Sequence, residues 1–143
     1  MYPIAFQTAN MGYERGTMYS VTIITSFSGA HHLRNYKGKC ENLHGHNWKV
    51  ETTVSGTALN KSGLLLDFTD LKIIVNELLE NFDHKHLNKV KPFDKLNPTS
   101  EIIAKYIHNE IKNRIQNDYS KLELSKIRIT VWESDRQWAS YTE

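Results

Sequence analysis

The chain has 143 residues, of which 24% are charged and 39% are hydrophobic, and its net charge is +2. This length predicts a single domain with its own core, and so small a charge without a lysine or arginine block argues against a nucleic-acid-binding protein. One cysteine excludes an intrachain disulfide and a cysteine-rich zinc finger, and without a long apolar run or a signal peptide we expect a cytoplasmic protein that does not enter the membrane.

The N-terminal part of the chain divides into an extension and two strands. Residues 1–16 show no sustained periodicity, so we expect an N-terminal extension followed by a single domain over residues 17–143. Alternating hydrophobic and hydroxyl-bearing residues predict a first strand over 17–28, and a second strand follows over about 44–56. The inward face of the second strand is predicted to carry His44, His46, Trp48, Val50, Thr52 and Val54.

Two amphipathic helices follow the strands. The first has Thr69 as its predicted N-cap and an apolar face with helical spacing, formed by Leu71, Ile74, Val75, Leu78, Leu79 and Phe82. The second begins within the segment Asn97-Pro98-Thr99-Ser100-Glu101. Its apolar face is formed by Ile102, Ile103, Tyr106, Ile107, Ile111 and Ile115.

The C-terminal part of the chain returns to strands. Ile127, Ile129 and Val131 share one parity, and a last short strand covers residues 138–142. The predicted order is therefore ββααββ, an α+β fold in which two helices cover one face of an antiparallel sheet. Because so small a sheet has exposed edges, we also expect a homo-oligomer.

Three histidines are candidate ligands of a metal. His44 and His46 lie on one face of the second strand, and His31 shares the parity of Phe27 at the end of the first. Three imidazoles with a fourth position open are typical of a catalytic zinc site, whereas structural zinc usually has four protein ligands. The alternative is that His31 is a loop residue and the other two imidazoles simply pack against Trp48.

Cys40 lies among polar and charged residues, including Lys37 and Lys39, which is unusual for a core cysteine. A cysteine near a metal and positive charge is favoured as the thiolate. It is a candidate fourth zinc ligand, nucleophile or general base, and the alternative is an incidental cysteine.

Two further features carry ionisable groups at the ends of predicted elements. Asp83-His84 follows the first helix and is typical of a carboxylate that orients an imidazole, although His86 is a competing candidate and any histidine is favoured at a helix C-terminus. Glu133 continues the inward parity of the third strand, where a carboxylate needs a partner. It is suited to binding the N–H edge of a heterocycle, unless it merely ends the strand in solvent.

These segments together resemble the 6-pyruvoyl-tetrahydropterin synthase family, most closely its bacterial branch of 6-carboxy-tetrahydropterin synthases of queuosine biosynthesis. The matching residues are Phe27-Ser28-Gly29-Ala30-His31, Cys40-x-x-x-His44-Gly45-His46, Leu66-Asp67-Phe68-x-Asp70-Leu71-Lys72, Asp83-His84-x-x-Leu87-Asn88, Asn97-Pro98-Thr99-Ser100-Glu101 and Glu133. The three-residue gap after Cys40 resembles the carboxy-tetrahydropterin branch, since biopterin-pathway members typically have a longer one. His32 departs from the family, where an arginine often follows the first ligand.

The resemblance implies the tunnelling (T-) fold and a homohexamer built as a dimer of trimers. It implies zinc bound by His31, His44 and His46, and it makes Cys40 the proton-abstracting residue. Asp83 and His84 complete the relay, Glu133 anchors the pterin and is also grouped with the relay, and Thr99 and Ser100 are implied to contact the substrate.

The implied reaction converts 7,8-dihydroneopterin triphosphate into 6-carboxy-5,6,7,8-tetrahydropterin, releasing acetaldehyde and triphosphate. The nearer alternative is a 6-pyruvoyl-tetrahydropterin synthase of the biopterin pathway, which retains the carbon skeleton. The farther one is a non-catalytic zinc protein in which Cys40 completes a three-histidine, one-cysteine site.

Overall fold

A computed structural model of the protein describes residues 17–143, so the predicted extension over residues 1–16 lies outside the described residues. The strands are β1 (Tyr19–His31), β2 (His44–Gly56), β3 (Lys85–His86), β4 (Lys126–Ser134) and β5 (Gln137–Thr142). The helices are α1 (Phe68–Leu79) and α2 (Ser100–Asp118), and single 3-10 turns cover Lys39–Glu41 and Leu87–Lys89. The α+β fold and the order of the four long strands and two helices are confirmed.

The five strands form one sheet in the order β3-β1-β2-β4-β5. The four long strands pair antiparallel, as predicted. The two-residue strand β3 was not predicted; it pairs parallel with Gly29 and Ala30 at the outer edge of β1. A segment this short has no periodicity, and it is extended because the turn after α1 brings it against β1.

Strand parity determines which residues enter the core. Alternate residues of β1, β2 and β4 are buried on one face of the sheet, which α1 and α2 cover by packing against β1 and against β4 and β5 respectively. Trp48 is fully buried at the centre of this layer, where it stacks on Phe27 and donates a 3.1 Å hydrogen bond from Nε1 to the carbonyl of Gly29. The opposite face of the sheet is largely polar and hydroxyl-rich, including a 2.8 Å contact between Thr22 and Thr53.

The helix termini differ from the sequence prediction by a few residues. Asp67, not Thr69, is the N-cap of α1, and its carboxylate accepts a 2.7 Å hydrogen bond from the backbone N–H of Thr69. At the other end, α1 stops at Leu79, and Phe82 is buried by the turns that follow. Thr99 is the N-cap of α2 and accepts from the N–H of Ile102. Neither helix in the described range 17–143 is long and apolar enough to cross a membrane.

Candidate active site and metal centre

The pairing of β1 with β2 brings the three predicted imidazoles together. His31 lies directly opposite His44, and His46 lies opposite Gly29. The Nε2 atoms of His31 and His44 are 3.0 Å apart, and all three rings make edge contacts with one another. The rings of His31 and His46 also contact Trp48. The alternative from the sequence placed His31 in a loop, whereas it is the last residue of β1 and converges with the other two imidazoles.

Two backbone carbonyls orient these imidazoles. His31 Nδ1 lies 2.7 Å from the carbonyl oxygen of Pro98, and His44 Nδ1 lies 2.7 Å from that of Asn42. A carbonyl oxygen only accepts, so in the neutral form of each imidazole the Nδ1 atom carries the proton and the Nε2 atom presents a lone pair. Two lone pairs 3.0 Å apart repel each other, and a shared cation relieves this repulsion.

Glu133 completes the group from the end of β4. Its Oε1 lies 3.2 Å from His46 Nε2, and its Oε2 accepts a 3.2 Å hydrogen bond from Ser100 Oγ. His46 Nε2 is buried and has no hydrogen-bond partner of acceptable geometry among the described residues. The ligand atoms of His31, His44, His46 and Glu133 lie within 4.8 Å of one another.

This donor set fits a divalent transition metal. Three imidazoles and one carboxylate are ligands that zinc accepts. The buried Nε2 of His46 makes no hydrogen bond of acceptable geometry among the described residues, so it is available to bind a metal. Burial lowers the pKa of His31 and of His46, so both favour the neutral form that a metal requires. The four side chains could therefore hold a metal ion.

A cavity of about 370 Å³ borders this group. Glu133 and His31 line it together with Thr99 and Ser100 at the start of α2, so both residues implied as substrate contacts lie on its wall. Gln137 also lines it, and its side-chain amide donates a 3.4 Å hydrogen bond to Glu133 Oε1. A charged acceptor at the wall of a cavity this size is suited to a small ligand with an N–H edge.

Cys40 lies in the 3-10 turn before β2 and is half-buried. Its carbonyl accepts a 2.8 Å hydrogen bond from the N–H of Leu33, which fixes the turn next to the end of β1. Within residues 17–143, the group of potential metal ligands contains Glu133 and does not contain Cys40. This geometry favours Glu133 over Cys40 as the fourth side chain beside the histidines.

The side chains of Asp83 and His84 contact each other in the turn after α1. His84 Nδ1 lies 2.9 Å from Asp83 Oδ2, and Asp83 Oδ1 accepts a 2.9 Å hydrogen bond from the N–H of Ser28 on β1. That backbone hydrogen bond and the contact with His84 lower the pKa of the Asp83 carboxyl. The backbone of His84 is left-handed, with φ of 56°, which is uncommon for a residue other than glycine.

His84 lies beside a different cavity from the one that contains Glu133. His84 lines a cavity of about 490 Å³ together with His46, Asn47 and His86. Cys40 lines neither of the two cavities. The structure therefore brings together one set of predicted site residues: His31, His44, His46, Glu133, Thr99 and Ser100. His84 lines a separate cavity, which shares only His46 with this set.

A known sequence family matches the part of the chain that carries this site. The family model described as 6-pyruvoyl tetrahydropterin synthase matches residues 20–143, which contain every site residue described above. The chain belongs to the 6-pyruvoyl tetrahydropterin synthase family. The T-fold expected from the sequence is thus confirmed, since the chain also resembles the solved structure of Caenorhabditis elegans 6-pyruvoyl tetrahydropterin synthase, with a TM-score of 0.75 and 28% identity over 89% of this chain and 96% of that one.

Members of this family with several activities are similar to the chain. The 6-carboxy-5,6,7,8-tetrahydropterin synthase of Haemophilus influenzae is 34% identical over 88% of this chain and 100% of the relative. The dihydroneopterin monophosphate aldolase of Pyrococcus furiosus is 34% identical over 77% of this chain and 85% of the relative. Each of these names is that of an enzyme with a pterin as its substrate or product.

Sequence reasoning missed the groups that support the ligands. The carbonyls of Asn42 and Pro98 orient two imidazoles, and Gln137 contacts Glu133. Any residue type supplies a carbonyl, so no sequence signal marks the first two. Gln137 follows Glu133 across a tight turn, and that proximity was an available signal.

Proposed function

We propose that this protein converts 7,8-dihydroneopterin triphosphate into 6-carboxy-5,6,7,8-tetrahydropterin, releasing acetaldehyde and triphosphate, as a step in queuosine biosynthesis. Family membership and the names of the relatives make the chain an enzyme of the 6-carboxytetrahydropterin synthase type, a carbon–carbon lyase. The observation that carries the proposal is the group of three oriented imidazoles and one carboxylate beside a ligand-sized cavity. The proposed catalytic domain covers residues 17–143, with residues 1–16 as an extension, and we expect it in the cytoplasm.

In this proposal His31, His44 and His46 hold a zinc ion. When bound, zinc supplies Lewis-acid chemistry that polarises substrate hydroxyls and stabilises negative charge developing on oxygen. Trp48 and the carbonyls of Pro98 and Asn42 keep the imidazoles in position, so the site is formed before substrate enters.

Glu133 is proposed to anchor the pterin ring. Its carboxylate is held by Ser100 and Gln137 and still has acceptor capacity for the N–H groups of a heterocycle. Thr99 and Ser100 form the adjacent wall, although the Thr99 hydroxyl is already engaged in capping α2. Hydrogen bonds from neutral donors to a carboxylate are among the stronger ones in proteins, which suits this residue to fixing the ring orientation.

Cys40, Asp83 and His84 are proposed to move protons. The reaction requires protons to leave and return to substrate carbon and oxygen during isomerisation, elimination of triphosphate and cleavage of the side chain. Cys40 is the proposed base, and the carboxylate of Asp83 orients the His84 imidazole through a 2.9 Å contact.

Product analysis tests the proposal. Zinc-loaded protein is incubated with 7,8-dihydroneopterin triphosphate, and acetaldehyde and the pterin product are quantified. Equimolar acetaldehyde and 6-carboxytetrahydropterin support the proposal. A pyruvoyl product without acetaldehyde would instead indicate the second candidate, 6-pyruvoyl-tetrahydropterin synthase, which the likeness to the Caenorhabditis elegans enzyme favours and the three-residue gap after Cys40 disfavours.

A further inference from the structure

Two asparagine side chains hold the segment that follows His31. The amide of Asn88 accepts a 3.0 Å hydrogen bond from the backbone N–H of His32 and donates a 2.9 Å hydrogen bond to its carbonyl. The amide of Asn97 makes the same reciprocal pair with the backbone of Arg34, at 2.8 and 3.0 Å. Because alternate residues are paired in this way, the two amides replace a neighbouring strand for the chain that leaves β1.

Arg34 also fixes the loop that leads to Asn97. Its guanidinium donates a 2.9 Å hydrogen bond from Nη1 to the carbonyl of Leu96. A second one, also of 2.9 Å, runs from Nη2 to the carbonyl of Phe93. These contacts with Arg34 set the position of Asn97 relative to the end of β1.

The residues just after Asn97 contact two different parts of the candidate site. Pro98 is buried, and its carbonyl oxygen lies 2.7 Å from Nδ1 of His31. Ser100 donates a 3.2 Å hydrogen bond from Oγ to Oε2 of Glu133. This short segment therefore supports a candidate metal ligand and, two residues later, the carboxylate proposed to bind the pterin.

We propose that Asn97 is a positioning residue that holds the metal ligand His31 and the pterin anchor Glu133 in register with each other. This inference rests on the proposed function and adds a residue that belongs to neither the metal group nor the cavity wall. Without the Asn97 amide, the segment loses two hydrogen bonds to the chain after β1. The Pro98 carbonyl and the Ser100 hydroxyl then shift together, and both groups that they orient are held less well.

The first measurement is the dissociation constant of zinc in the absence of pterin, obtained by competition with a chelator. We expect Asn97→Ala to weaken zinc binding by about 10-fold, the lower end of the range for groups that orient a metal ligand. The visible spectrum of the cobalt-loaded protein should change as well, because the d–d bands of Co²⁺ report the geometry of its ligands. A loss of folding stability alone leaves the spectrum of the folded protein unchanged.

Asn60→Ala is the matched control for this measurement. The Asn60 side chain accepts hydrogen bonds of 2.9 and 3.0 Å from the N–H groups of Ser62 and Leu64, so it also anchors a loop. It lies outside the metal group, and its variant should keep the wild-type zinc affinity and cobalt spectrum. An equal loss of zinc affinity in Asn60→Ala would attribute the effect to general loosening of the fold and overturn the inference.

The second measurement is binding of 7,8-dihydroneopterin by equilibrium dialysis, with zinc held at a saturating concentration. Asn97→Ala should weaken this binding by about 2- to 10-fold, the loss expected for one ordinary hydrogen bond, since Ser100 no longer fixes Glu133. Ser100→Ala should weaken pterin binding at least as much and keep the wild-type zinc affinity, because it removes only the contact with the carboxylate.

The possible outcomes separate this inference from the proposed function. An Asn97→Ala protein with wild-type zinc affinity and an unchanged cobalt spectrum overturns the inference alone, and so does one that loses affinity for only one of the two ligands. Wild-type protein that binds zinc and dihydroneopterin but releases no acetaldehyde from the triphosphate overturns the proposed function, and the two binding measurements still decide the role of Asn97. Wild-type protein that binds no zinc overturns both.

A second variant keeps the test decisive should Asn97→Ala fail to fold. Asn97→Asp retains the acceptor for the N–H of Arg34 but turns a second oxygen toward the Arg34 carbonyl, where the amide donated. We expect it to weaken the binding of zinc and of dihydroneopterin in the same direction. Wild-type affinity for both ligands in this variant overturns the inference.

Discussion

At the scale of single residues, His46 gives the most direct test of the metal centre. Its buried Nε2 lies 3.2 Å from Glu133 and has no hydrogen-bond partner of acceptable geometry in the described chain. We predict that His46→Ala removes most of the bound zinc together with activity, because two remaining imidazoles hold zinc weakly. Zinc per chain, measured after desalting, checks this.

The control for this prediction is the histidine next to the first ligand. His32 contacts His86 and does not belong to the metal group, so His32→Ala should keep its zinc. A His46→Ala protein that retains one zinc per chain would remove His46 from the site.

Glu133 has two roles compatible with its position, a metal ligand and an anchor for the pterin. We predict that Glu133→Gln leaves zinc content unchanged and weakens pterin binding strongly, since the amide loses hydrogen bonds to a charged group, worth about 1.5–3 kcal/mol each. Binding of dihydroneopterin and zinc content are measured on one preparation. Loss of zinc with the carboxylate would instead identify Glu133 as the fourth ligand.

Cys40 is predicted to act in proton transfer and not in metal binding. Cys40→Ala should fold and keep its zinc, and it should lose about 10²–10⁴-fold in turnover, the typical contribution of a positioned acid or base. Alkylation of the wild-type thiol should abolish turnover without releasing metal. If zinc leaves when Cys40 is blocked or replaced, the assignment as a base is wrong and the cysteine is a ligand.

Strand parity explains why the grouping of the three histidines was predictable from the sequence. His31, His44 and His46 share a face because side chains alternate along a strand, and parity also points Glu133 inward. Parity along one strand does not report distances between strands that are not neighbours in sequence. Strand parity therefore could not predict that Glu133 lies 3.2 Å from His46. Nor could it predict that His84 lines a different cavity from Glu133.

At the scale of elements, the start of α1 tests how the helix is capped. Asp67 accepts from the N–H of Thr69, whereas the sequence analysis predicted Thr69 itself as the cap. We predict that Asp67→Ala lowers the free energy of unfolding by about 1 kcal/mol, whereas Thr69→Ala has a much smaller effect. Urea unfolding of both variants measures the difference. A larger loss from Thr69→Ala would mean that the helix starts two residues later.

The apolar spacing of the sequence predicts the long elements, but it does not predict helix caps or the short strand β3. Long periodic segments such as α2 and β2 follow from their apolar spacing. The position of a cap depends on which side chain reaches a free N–H, and the apolar spacing of the helix does not report this. Strand β3 forms because the backbone after α1 meets β1, including a 2.6 Å hydrogen bond from the N–H of His84 to the carbonyl of Ser28, a tertiary contact with no local signal.

At the scale of the whole molecule, the sheet leaves surface that a single chain does not cover. In the described part of the chain, β5 has no neighbour on its outer side and β3 pairs with only Gly29 and Ala30 of β1. Unpaired strand edges favour association with further strands. On the open face of the sheet, Ile24 in the middle of β1 is 58% exposed.

We predict that the protein is a homohexamer, a dimer of trimers, with a mass six times that of the 16.6 kDa chain. Light scattering coupled to size exclusion measures this. Ile24→Lys should reduce the assembly, because a buried lysine without a partner is costly at an interface. Ile73→Lys is the matched control, since Ile73 is 50% exposed on α1 and lies away from the sheet edges. A wild-type chain that remains monomeric at micromolar concentration would contradict the prediction, and one that assembles equally with either lysine would exclude the open face around Ile24 from the contact.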